Sequence, residues 1–120
     1  MKRDMELVRE LLISIEEHTG EKGWSVPSDM EYLVVVKHLE LMEQANLVNA
    51  SIVRTKQYST VMDASLTWDG HDYLNAIRNE TVWNKVKENV KEKGIQLTEL
   101  SFGMLKEYAV FEGKKILGLA

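Results

Sequence analysis

Two short runs with a period of two, set between segments with a period of 3.6, constrain this chain more than any other feature. Val48, Ala50 and Ile52 alternate with Asn49 and Ser51, and Met62, Ala64 and Leu66 alternate with Asp63 and Ser65. Successive side chains of a strand point to opposite faces, so each run offers one apolar face. The polar "RTKQYST" between them predicts an antiparallel β-hairpin over about 47–53 and 60–66, with those six apolar side chains buried. The connection lacks an Asn-Gly pair, which predicts a loop longer than two residues.

Helices flank the hairpin. Met5, Val8, Leu12 and Ile15 recur at helical spacing and predict a helix over 4–18, ended by "HTGEKG". "WSVPSD" carries the only proline and leads into a second helix, capped by Ser28 or Asp29 and running to about Ala45. Its apolar stripe is Tyr32, Val35, Val36, Leu39 and Met42; the opposite stripe is Val34, Lys37, His38, Leu41 and Gln44. After the hairpin, helical spacing runs from Thr67 to about Arg78 and again from Thr81 to Lys93, where Gly94 stops it. Thr98 is the expected cap of a last helix through Tyr108 or beyond. At 120 residues the chain has room for one core. The reading is a single domain over 1–120, mostly α with a small antiparallel β-hairpin (α+β) and extra C-terminal helices.

Charge and composition narrow the functions. Fifteen Lys and Arg stand against nineteen Asp and Glu, and the resulting net charge of −4 opposes a strongly electrostatic grip on nucleic acid. The absence of cysteine excludes disulfides and a thiol nucleophile. No apolar run approaches the roughly 20 residues that span a bilayer, and "MKRDMELVRELL" has acids where a signal peptide needs an apolar stretch. A cytoplasmic protein with no membrane partner is expected. No "HExxH", "GxSxG" or Gly-rich phosphate loop occurs, so neither an enzyme, a metal nor a cofactor is expected.

"DGHD", residues 69–72, has the residue types of a metal or acid–base site. His71 and Asp72 are adjacent, however, and point about 100° apart on a helix, which is poor ligand geometry. The structural reading is preferred: Thr67 caps the helix, Asp69 meets its positive end, and Gly70 admits a close backbone. Trp68, Tyr73, Leu74, Ile77, Val82 and Trp83 are then core residues.

A helical pair feeding a hairpin is the C-terminal half of a winged helix-turn-helix, in which the second helix reads DNA and the hairpin is the wing. The usual motif has a further helix between the first two. Here it is missing, reduced to a turn around "VPSDM", or merged with its successor. On this winged-helix-like scaffold the candidate nucleic-acid contacts are Lys37, His38 and Gln44, with Arg54, Lys56 and Tyr58 at the wing tip. Val34 and Leu41 share the outer stripe with Glu40 and Glu43 at its flanks, and they are the candidate interface for a homodimer or a protein partner. Lys85, Lys87, Lys91 and Lys93 alternate with Glu88 and Glu92 and read as a solvated face.

The segments "MKRDMELVRELLISIEE", "VVKHLELMEQANLV" and "LTWDGHDYLNAIRNETVWNKVKE" resemble domain of unknown function family 2513, found in bacteria and in their phages and prophages. The resemblance covers nearly the whole chain and implies a lineage rather than a mechanism. The region between Trp24 and Val35 is shorter here than is usual in that family, where a second winged-helix helix would lie. The expected function is a non-enzymatic binding module of phage or prophage type, linked to DNA binding or transcription regulation through a degenerate winged helix. The alternative is a protein-interaction or homodimerisation module without DNA binding. Fold analogy alone does not choose between them.

Overall fold

The structure, a computed structural model, describes residues 2–119. Helix α1 (Met5–Glu17) starts at Asp4, whose carboxylate accepts the N–H groups of Glu6 and Leu7 and so satisfies donors that the first turn leaves free. It turns Met5, Val8, Leu11, Leu12 and Ile15 into the core. The chain then runs extended to a turn in which the N–H of Met30 donates to the Pro27 carbonyl oxygen. Helix α2 (Tyr32–Gln44) begins after this turn, later than expected: Ser28 and Asp29 sit at the centre of the turn, and Glu31 is the N-cap. Among the described residues no helix lies between α1 and α2. Val35, Val36, Leu39 and Met42 face the core as the stripe predicts, whereas Tyr32 is exposed and hydrogen-bonds through its hydroxyl to the N–H of Val61.

Asn46 takes a left-handed φ of 61°, a conformation its short side chain tolerates, and turns α2 directly into the sheet. Strands β1 (Val48–Arg54) and β2 (Ser59–Leu66) pair antiparallel from Val48 opposite Leu66 to Arg54 opposite Ser59, joined by the four residues Thr55–Tyr58. One expectation fails inside β2. The register slips between Ser51, which faces Asp63, and Ile52, which faces Val61, so Met62 is an extra, bulged residue. A single extra residue reverses the alternation beyond it: Val61 is buried and Met62 is 55% exposed. The segment after α1 is fitted to this bulge. A Cβ at Gly23 would collide with the Met62 carbonyl oxygen, and the N–H of Trp24 donates to the Asp63 carboxylate at 2.8 Å.

Helix α3 (Trp68–Ile77) is capped by Thr67, whose hydroxyl accepts the N–H of Gly70 at 2.9 Å. Gly70 lies so close to the Leu47 carbonyl that no Cβ would fit, as a glycine in a first helical turn suggests. Trp68 departs from expectation. The buried face of α3 is Gly70, Tyr73, Leu74 and Ile77, and Trp68, about 200° round the helix from Gly70, is 81% exposed.

Helix α4 (Glu80–Glu92), capped by Asn79, buries Val82, Trp83, Val86 and Val90 and ends at Gly94 with φ 72°. Thr98 falls in a single 3-10 turn, Leu97–Glu99, and caps nothing; Ser101 starts helix α5 (Phe102–Ile116) instead, accepting the N–H of Met104. The fold is α+β and mostly helical.

The core lies where α1 meets α2, β2 and α3, while α4 and α5 pack on α3 and on each other. Buried Arg9 clasps the junction of α3 and α4, donating to the carbonyls of Ile77 and Arg78 and to the Glu80 carboxylate. Among the described residues no helix is long and apolar enough to cross a membrane.

Candidate functional site

The element order leaves the outer face of α2 and the hairpin tip beside it open, because the C-terminal helices stack on α3 instead. With Val35, Val36, Leu39 and Met42 turned inward, helical geometry places Leu33, Lys37, Glu40 and Gln44 outward, each three or four residues from the next. Lys37 and Gln44 are exposed as the sequence predicts. Leu33, which sequence reasoning passed over, is the most exposed apolar residue of α2 at 67%. Its signal was available: 33, 37, 40 and 44 form one helical row.

His38 does not join this face. It is 1% exposed, its Nε2 accepts the backbone N–H of Asp4 at 2.9 Å, and its Nδ1 lies 2.8 Å from the Val34 carbonyl oxygen. Both ring nitrogens are therefore engaged: Nε2 holds α2 to the start of α1, and Nδ1 bonds within α2 itself. Val34 and Leu41 are half-buried rather than standing clear as an apolar patch.

At the hairpin tip the Thr55 hydroxyl accepts the N–H groups of Gln57 and Tyr58, organising the loop around itself. Lys56 and Tyr58 project into solvent. Arg54 leans back toward α2, 3.9 Å from the Glu40 carboxylate. The neighbouring acid, Glu43, accepts the N–H of Ala50 on the open edge of β1 at 3.0 Å. Of the three cations of this face, Arg54 alone lies against a carboxylate, and Glu40 is the one acid in the outward row.

The "DGHD" segment disperses. Asp69 accepts from the Asn46 amide at 2.9 Å, His71 lies 3.8 Å from Glu16, and Asp72 lies 3.9 Å from Lys106. Among the described residues no group of three or more His, Asp or Glu converges on a point where a metal could sit. Glu16 has a stronger partner in Arg78, which grips it through two bonds of 2.6 and 2.5 Å. Those bonds hold the Glu16 carboxyl below its ordinary range and raise the Arg78 guanidinium above its own.

Compared with known proteins, residues 2–96 match the family described as "Hypothetical protein (DUF2513)". A Haemophilus influenzae protein described as an uncharacterized protein is 31% identical over 112 residues, spanning 91% of this chain and 92% of that one. No solved structure matches. The chain belongs to the DUF2513 family.

Proposed function

We propose that this DUF2513 member is a non-enzymatic binding module whose α2 and hairpin face meets a protein partner, on a winged-helix-like frame that has lost its grip on DNA. The observation that carries this reading is the charge balance of the face. Arg54, the cation that a wing would offer to phosphate, is directed at Glu40, and Lys37 lies in one row with Glu40 and the exposed Leu33. Engagement of phosphates supplies much of the affinity of a DNA-binding domain and needs cations free of competing acids. An exposed leucine rimmed by polar side chains suits a protein partner better.

The non-catalytic reading is supported by the work of the buried polar side chains. Arg9 joins α1 to the α3–α4 junction, His38 joins α2 to α1, and Glu112 accepts from Asn89 to join α5 to α4. Each spends its bonds on packing.

A second reading, DNA binding through the same face, is favoured by Lys37, Gln44 and Lys56, which are exposed, the two lysines without an ion-pair partner among the described residues. Anisotropy titration of mixed-sequence duplex across a range of salt separates the two. The protein-partner reading expects no sub-micromolar binding at physiological salt, and no change when Lys37, Arg54 and Lys56 are replaced together by Ala. Sub-micromolar, salt-steep binding overturns it, the more so if the triple variant flattens the salt slope by about one for each phosphate it no longer neutralises.

A further inference from the structure

The outward face of α5 carries Glu107 and Lys114, neither in an ion pair among the described residues. Leu105, Ala109 and Glu112 turn into the core, so helical geometry puts Glu107 and Lys114, two turns apart, on the opposite line. Val110 and Phe111 lie between them, one on each side of that line, 41% and 49% exposed. Met104 and Leu117 extend the face by a turn in each direction, also exposed. Glu107, Val110, Phe111 and Lys114 line an open groove of about 420 Å³.

Positions 107 and 114, 110 and 111, and 104 and 117 are each symmetric about the midpoint between Val110 and Phe111. A two-fold axis lying across that outer face at the midpoint, perpendicular both to α5 and to the outward direction, lays a second α5 antiparallel on the first. Glu107 then meets Lys114 of the second copy, while Val110 meets its own copy on one side of the axis and Phe111 meets its own copy on the other, with Met104 and Leu117 at the edges of the contact. We propose that this stripe is the interface of a homodimer, an isologous pairing of two α5 helices, and that the occupant of the groove is a second copy of this chain.

Charge complementarity carries the choice of occupant. Two like charges at 107 and 114 would repel across this axis, whereas a glutamate with a lysine attracts twice. The other nearby cations are engaged: Lys106 lies 3.9 Å from Asp72, and Lys115 lies 3.6 Å from Glu112 and over the Phe111 ring. Glu107 and Lys114 have no such partner among the described residues. One pair of four-turn helices is a small interface, so dissociation in roughly the micromolar range is expected. The surface is separate from the α2 face, and a chain that proved monomeric would leave the proposed function standing.

Sedimentation equilibrium of the full chain over about 1–100 µM, bracketing that range, tests it. The mass is expected to rise toward twice that of one chain. Glu107→Lys should hold it at one chain, and combining Glu107→Lys with Lys114→Glu should restore the dimer, with circular dichroism unchanged throughout because both positions are exposed. If Glu107→Lys loses its fold, Lys114→Glu reads the same pair from the other side. A wild-type mass of one chain at the highest concentration overturns the proposal. So does a dimer that survives either single reversal, or a folded double variant that stays monomeric.

Discussion

Gly70 and His71 are neighbours with opposite roles. Gly70 is wedged against the Leu47 carbonyl and His71 is exposed, 3.8 Å from the Glu16 carboxylate. Gly70→Leu should therefore cost at least about 1–3 kcal/mol, since the obstructing atom is backbone. His71→Ala should stay within about 0.5 kcal/mol; thermal melts of the two variants measure both. Glu16 makes a pH prediction. Its carboxyl titrates at an ordinary 4.5 when unfolded and lower when folded, because Arg78 hydrogen-bonds the charged form. The contribution is thus fully present above the unfolded value and is lost as pH falls through the folded one. The stability difference between wild type and Arg78→Gln should be level near neutrality and close as the solution is acidified through that window. A difference that persists at the acid end would assign the effect of Arg78 to packing. The role of Gly70 was legible because glycine in a helix is costly without a reason; the exposure of Trp68 was not, because a tryptophan beside a glycine reads as core until the buried face of α3 is known.

At the scale of elements the hairpin shows both the reach and the limit of periodicity. Alternation located both strands to within a residue or so, and the missing Asn-Gly pair foretold the longer loop. It could not show the bulge, which adds one residue without altering composition and so exchanged Val61 for Met62 at the core. Val61→Asp is accordingly expected to unfold the domain, burying an unpaired charge against a total stability of about 5–15 kcal/mol. Met62→Asp should leave a folded protein by circular dichroism. If the two variants behaved alike, the bulge would be misplaced. Helix starts were the other blind spot. Asp29 and Thr98 have the chemistry of a cap, but the Pro27–Met30 turn and the 3-10 turn at Leu97–Glu99 claim them first, and backbone bonds of that kind leave no mark on composition.

For the whole molecule, the arrangement of α4 and α5 on α3 decides what is presented outward, and this is the scale at which sequence was least informative. The exposure of Lys37, Gln44, Lys56 and Tyr58 was legible from the helical wheel and the loop alone. The burial of His38 was not, because its partner at Asp4 lies 34 residues away. The ion pair that occupies Arg54 was equally hidden, since Glu40 and Arg54 meet only when β1 folds back beside α2. The central claim is that the α2 and hairpin face does not read DNA. Amide chemical shifts of the isotope-labelled chain, followed as a mixed-sequence duplex is added to stoichiometry at physiological salt, test it most directly. The amides of Lys37, Gln44 and Lys56 are expected to stay where they are; saturating shifts confined to those residues and their neighbours would contradict the claim.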